Sequence, residues 1–247
     1  MNSEERFFVD GKYLTAEECR TAFRPGPLAD RQQKCLRMIE GHRVLDVGCY
    51  GGGFIAKAVQ TYPDKTILGV DHDEENIKIA RFLFPRLKDH FQTMNVYRLA
   101  FEDESFDCVL LQEVIEHLNE PHAAVREIAR VLKKSGYLIV STINPYYWKD
   151  ILSFAAFEGR NRLKTDPARR KKLRPLVYFK NVEWNRHLYG WTPALLLTLL
   201  AANGFEYMEH SFGGESRRAM ERLVLRAFPY FGPTQIMKVR KMDSGKK

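Results

Sequence analysis

The run Val44-Leu45-Asp46-Val47-Gly48-Cys49-Tyr50-Gly51-Gly52-Gly53-Phe54 constrains this chain more than any other segment. A short apolar strand delivers the backbone into a glycine-rich turn, and a helix begins where the turn ends. Glycines there let the main chain approach a ligand closely, and the first turn of the helix presents its amides to the same place. A second strand ends in Gly69-Val70-Asp71, which sets a carboxylate about twenty residues past the turn, where it accepts hydrogen bonds from two ribose hydroxyls. The pattern is a nucleoside-binding one.

Which nucleoside follows from charge. Gly51-x-Gly53-x-x-Ala56 formally satisfies the dinucleotide fingerprint, but Asp46 lies on the strand directly before the turn and would repel an anionic pyrophosphate. A carboxylate there suits a cationic ligand. S-adenosylmethionine carries an ammonium and a sulfonium and no phosphate, and the stretch resembles motif I of class I S-adenosylmethionine-dependent methyltransferases.

The resemblance continues through Phe106-Asp107-Cys108-Val109-Leu110-Leu111-Gln112-Glu113-Val114-Ile115-Glu116-His117-Leu118, similar to the fourth strand and following turn of small-molecule O-methyltransferases related to those of ubiquinone biosynthesis. Leu132 to Val140 resembles their helix-to-fifth-strand turn. Arg186-His187-Leu188-Tyr189-Gly190-Trp191-Thr192 with Ala202-Asn203-Gly204-Phe205 resembles the segment around their last helix and sixth strand. These pieces span most of residues 40 to 210 in the expected order. One departure stands out: the family usually has Gly-x-Gly-x-Gly in the turn, and here the middle glycine is Tyr50. If that position requires positive φ, tyrosine costs about 1 kcal/mol or more; otherwise it keeps ordinary dihedrals and points toward the ligand.

Periodicity predicts helices over 28–40, 53–61, 73–83, 121–133 and 193–203, and strands over 43–47, 66–70, 92–96, 107–112, 137–143, 205–212 and 234–240. Strands alternating with helices imply a doubly wound, mostly parallel α/β sheet, and the resemblance implies seven strands with the last antiparallel. The 247 residues, 45% of them hydrophobic, suffice for one domain. Within it we expect a helical cap over 1–40, a cofactor-binding core over 41–143, a substrate-side insertion or lid over 144–190 and a C-terminal helix and strands over 191–247. The acidic N-terminus, the short apolar runs and four cysteines without paired spacing read as a soluble cytoplasmic chain with reduced thiols.

Ligands in such sheets bind beyond the carboxyl ends of the strands, so the site assembles from strand ends. The resemblance implies that Asp46, Gly48, Cys49, Tyr50 and Gly52 approach the methionine part of the cofactor, with Gln112 nearby, and that Asp71 bridges the ribose hydroxyls with His72 at the adenine edge. Asn95 falls where the family has an aspartate accepting from the adenine amino group, and Val96 packs the ring. Capping alternatives exist: Asp46 for its turn, and Asp71 or Asp73 for the helix at Glu74-Glu75-Asn76, with Asp73 the better placed.

Glu113, Glu116 and His117 fall near the transferred methyl. Methyl transfer needs alignment and, for a hydroxyl nucleophile, a base, for which His117 is the best single candidate; the competing role is to hold the turn by backbone hydrogen bonds. The expected acceptor is a small metabolite, glycan or lipid-linked compound, with no metal. Glu113-x-x-Glu116-His117 with His187 also resembles the divalent-ion set of small-RNA 2′-O-methyltransferases, and a cofactor-binding subunit without turnover is the rival outside enzymes.

The net charge of +8 is concentrated: Arg160 to Arg174 holds eight basic residues against one acidic, suited to an anionic partner or to a solvated insertion. Asn144-Pro145-Tyr146-Tyr147-Trp148 sets three aromatic rings after the fifth core strand, either at the site's mouth or, with Ile151, Leu152 and Phe154, as the buried face of a lid helix. Arg217 to Phe228 is a basic amphipathic stretch fit for peripheral membrane contact or for packing on the sheet.

Overall fold

The computed structural model describes residues 6–9, 11–23, 26–149, 151–152, 190–214, 223 and 225–243. A two-stranded antiparallel hairpin, β1 (Arg6–Val9) and β2 (Lys12–Thr15), leads into α1 (Ala16–Ala22) and α2 (Asp30–Arg37). The core then alternates: β3 (Arg43–Val47), α3 (Gly53–Thr61), β4 (Thr66–Asp71), α4 (Glu74–Leu83), β5 (Phe91–Thr93), β6 (Phe106–Gln112), α5 (Pro121–Val131), β7 (Leu132–Ile143), α6 (Pro193–Ala202), β8 (Phe205–Gly213) and β9 (Thr234–Lys241). The seven core strands run in the order β5-β4-β3-β6-β7-β9-β8. β9 is antiparallel to both neighbours, and the other pairings are parallel. Strand order reverses at β3 and β6, so their carboxyl ends open the crevice where such sheets bind ligands.

Alternate residues of the central strands divide the core into two layers, as expected of a sheet buried on both faces. Val109, Leu111, Leu138 and Val140 face Val125 and Ile128 of α5 and Leu196 and Leu200 of α6. Cys108, Leu110 and Ile139 face Cys35 and Leu36 of α2, Ile55 and Ala58 of α3 and Ile77 of α4. Each such aliphatic side chain contributes about 1.5–3 kcal/mol by leaving water.

Three departures from the sequence reading have local causes. The N-terminal cap is not wholly helical: it begins with the β1–β2 hairpin, and its second helix is shorter than 28–40. The strand predicted over 92–96 stops at Thr93 because Asn95 turns the chain, its Oδ1 accepting from the Tyr97 amide at 3.0 Å. The helix predicted over 121–133 ends at Val131, and β7 begins at once with an irregular register against β6 in which Ser135 has φ 57°.

Gly52 caps α3 with φ 76°, and a Cβ built on it would lie 2.7 Å from Cζ of Phe91 and 3.0 Å from Cβ of Ala80. Gly52→Ala is therefore expected to destabilise the chain by about 2–3 kcal/mol, from left-handed strain together with overpacking against a buried ring. A lowered denaturation midpoint with an unchanged slope would show it.

Candidate active site

The glycine turn is built where β3 ends. The amides of Gly48 and Cys49 both donate to the carbonyl of Val70, at 2.7 and 3.0 Å, which ties the turn to the end of β4. Gly48 has φ 81°, and Tyr50 has φ 48°, so the position of the missing glycine does require the left-handed region and the tyrosine occupies it under strain. Cys49 is buried and burial pushes its thiol well above the ordinary range, which leaves it a neutral wall of the turn.

Two carboxylates flank this turn. Asp46, 2% exposed, accepts from Nε2 of Gln112 at 3.2 Å. Burial pushes its carboxyl up to about 7, with the Gln112 hydrogen bond and the Arg31 guanidinium opposing the rise. Asp71, also buried, accepts from the Tyr50 amide on Oδ2 at 2.9 Å and from the Asp73 amide and Nδ2 of Asn76 on Oδ1 at 3.0 and 3.2 Å. Asp73 caps α4, accepting from the Glu75 amide at 2.9 Å, so the capping role falls to Asp73 as its sequence position implied. His72 is largely exposed, with Nδ1 3.5 Å from Oδ1 of Asp71. Met94 donates its amide to the Asp71 carbonyl at 2.8 Å, which brings exposed Asn95 and buried Val96 alongside that strand end.

The chain leaves β6 through Glu113, another non-glycine residue in the left-handed region at φ 54°, whose amide donates to the Ser141 carbonyl at 2.9 Å. Its carboxyl Oε1 stands 3.7 Å from Nε of Arg31, and burial raises its pKa against the pull of Arg31 and His117. Glu116 is fully buried, and neither of its carboxyl oxygens has a hydrogen-bond partner among the described residues. Burial first, then the charge of Glu113, pushes it up to about 7. His117 stands exposed at the end of the same turn, its amide bonded to the Val114 carbonyl at 2.9 Å. The structure thus brings Asp46, Gly48, Cys49, Tyr50, Gly52, Asp71, Gln112, Glu113 and Glu116 to one edge. Among the described residues no group of three or more histidine, cysteine, aspartate or glutamate side chains has metal-binding geometry. His187 and the basic segment 160–174 lie outside the described residues.

Sequence reasoning missed Arg31. It reaches from α2 to Glu113 and donates from Nη1 to Oγ of Ser141 at 3.1 Å. The signal was its place four residues before buried Cys35, an arginine on the apolar face of a helix. Asn144 directly follows β7. It is 2% exposed, donates from Nδ2 to the carbonyls of Tyr230 and Gly232 at 2.8 Å each, and accepts from the Tyr146 amide at 3.1 Å, which stacks Tyr146 on Tyr230 with ring centroids 5.8 Å apart. Ile151 and Leu152 are exposed, so among the described residues they do not form the buried face of a lid helix. Leu223 and Phe228 are likewise exposed and do not pack on the sheet; most of the basic stretch over 217–228 lies outside the described residues.

Sheet order, the antiparallel β9 and a glycine turn flanked by strand-end carboxylates define a Rossmann-like fold of the class I methyltransferase type. Residues 45–140 match the family described as a methyltransferase domain. A ubiquinone biosynthesis O-methyltransferase of Alkalilimnicola ehrlichii is 35% identical over 131 residues, 51% of this chain and 52% of the relative. The chain thus matches about half the length of that curated relative. An S-adenosylmethionine-dependent methyltransferase from Mesorhizobium loti superposes with a TM-score of 0.59 at 18% identity, covering 85% of this chain and 97% of that one. Magnesium protoporphyrin IX methyltransferase from Synechocystis, solved with bound S-adenosylhomocysteine (SAH), superposes with a TM-score of 0.56 at 16% identity, covering 85% and 82%. No helix among the described residues is long and apolar enough to cross a membrane.

Proposed function

We propose that this chain transfers a methyl group from S-adenosylmethionine to a hydroxyl of a small metabolite, glycan or lipid-linked acceptor. The observation that carries the reading is the buried Asp46 carboxylate ending β3 beside a left-handed glycine turn, a setting that favours a cation and disfavours a diphosphate. The unpartnered Oε1 of Gln112 adds a second acceptor at the same edge.

In this reading Asp71 holds the ribose, with His72, Asn95 and Val96 at the base. Gly48, Cys49, Tyr50 and Gly52 line the amino-acid part. Asp46 and Arg31 offer opposite charges to its ammonium and carboxylate. The bound cofactor supplies an electrophilic methyl on a sulfonium. Glu113, Glu116 and His117 orient the acceptor hydroxyl and take its proton as the new C–O bond forms and the C–S bond breaks. The expected substrate-side element over 144–190 lies mostly outside the described residues. Buried Cys19, Cys35, Cys49 and Cys108, none of them in a disulfide, accord with a cytoplasmic site of action.

Incubation with methyl-labelled S-adenosylmethionine and fractionated cell extract tests this. Label is expected in a small-molecule or lipid fraction and lost with Glu116→Gln by about tenfold or more. Label entering RNA alone, or none at all beside tight cofactor binding, would contradict it. A second reading rests on the half-buried carboxylate of Glu113 and the buried one of Glu116 at one turn: a divalent ion there would serve RNA 2′-O-methylation. Methylation that survives chelation excludes that alternative.

A further inference from the structure

Tyr50 stands in a backbone conformation that glycine adopts without strain, and its amide bond to Asp71 would survive replacement by glycine. What the chain gains from tyrosine must therefore come from the ring. That ring meets Phe23, with centroids 5.4 Å apart and planes tilted by 48°, while 48% of the residue's surface stays open.

Phe23 is not a loose neighbour. It ends α1, its amide donating to the Cys19 carbonyl at 2.9 Å, and that helix is started by a reciprocal cap between Thr15 and Glu18. The hairpin and α1 are fixed to α4 by fully buried Cys19 and Ile79, by Phe7 against Phe82 at 4.6 Å, and by the Phe8 amide donating to Glu75 at 3.3 Å. A Cβ on Gly51 would lie 3.0 Å from the Phe23 ring. The N-terminal unit thus ends in an aromatic side chain pressed on the turn beside the Asp71 carboxylate.

We propose that Tyr50, braced by Phe23, is a cofactor-retention residue whose ring covers the nucleoside crevice at the Asp71 end of the turn. The inference rests on the cofactor assignment above and adds a residue role particular to this chain. It explains the departure from glycine: backbone strain is tolerated because the ring lengthens the stay of the bound nucleoside. Phe23 acts through Tyr50 and is a positioning residue.

Calorimetric titration of the full chain with SAH and with S-adenosylmethionine tests this. Tyr50→Ala and Tyr50→Gly are expected to weaken binding equally, by about three- to tenfold, the range for losing one aromatic contact. Their stabilities should differ, Tyr50→Gly melting above Tyr50→Ala because only glycine relieves the left-handed strain. Tyr50→Phe should bind as the unaltered chain does. Phe23→Ala, which leaves the strained backbone alone, should weaken binding over the same range, and the double variant Phe23→Ala/Tyr50→Gly no further than the worse single one. Tyr50→Gly binding as tightly as the unaltered chain, or effects at 23 and 50 that multiply, would overturn the proposal. Failure of the unaltered chain to bind either nucleoside would instead overturn the cofactor assignment beneath it.

Discussion

Asp71→Ala is expected to abolish useful cofactor affinity, raising the Kd for SAH about a hundredfold or more, as loss of two charge-assisted hydrogen bonds to a ribose requires. The same substitution strands three donors that the carboxylate now satisfies, the amides of Tyr50 and Asp73 and Nδ2 of Asn76. Stability should fall as well, by about 2–3 kcal/mol. Affinity loss alone therefore cannot assign the ribose role, and the control is Asp73→Ala. Asp73 caps α4 through the Glu75 amide, so its loss should cost about 1 kcal/mol of stability. If Asp71 holds the ribose, Asp73→Ala keeps its affinity while Asp71→Asn, whose amide must face one of the three donors, loses both affinity and stability; if Asp71 only shapes the turn, affinity in the Asp71 variants should fall no further than their loss of stability accounts for. Calorimetry and thermal melting on the three variants separate the cases.

The core was legible because its code is redundant. The segment from Arg43 to Leu83 alternates strand, turn and helix, with Gly52 and Asp73 at the two helix starts, and the predicted ranges agree with β3, α3, β4 and α4 to within a residue. The N-terminal hairpin was equally legible in principle: two short runs flank Asp10-Gly11, and Gly11 has the φ of 79° that such a turn needs. Residues at strand ends could be placed from sequence because topology brings all parallel strand ends to one edge, and Asp46, Asp71, Gln112 and Glu113 were placed there. Arg31 was not, because it arrives from a helix that precedes the sheet, and nothing in a strand-end rule predicts which helix crosses back over that edge. The amide of Tyr50 bonded to Asp71 was out of reach for a different reason: it depends on the sign of one φ angle, which a family pattern with glycine there leaves open.

Asp46 makes the second large effect a matter of pH. In the folded chain its carboxyl is pushed up to about 7 by burial, so the native state holds the proton more tightly than the unfolded state does. That difference stabilises the unliganded protein at low pH and is lost as pH rises from about 4 to about 7. Asp46→Asn keeps an oxygen for Nε2 of Gln112 and removes the charge, so it should leave stability near pH 4 unchanged and raise it by about 2–4 kcal/mol at pH 8. Glu116 titrates over a similar range, and the difference between the two chains removes its contribution. Binding should move the opposite way. An ammonium group requires the ionised carboxylate, so affinity for S-adenosylmethionine should fall by up to about tenfold per pH unit below 7 in the unaltered chain. In Asp46→Asn it should be weaker above pH 7 and largely independent of pH, because the carboxyl that titrates between Arg31 and Asp71 is gone. Affinity in the unaltered chain that is flat or rises toward acid would mean that no cation sits against Asp46, and the case for a sulfonium nucleoside over a phosphate-bearing one would lose its physical basis.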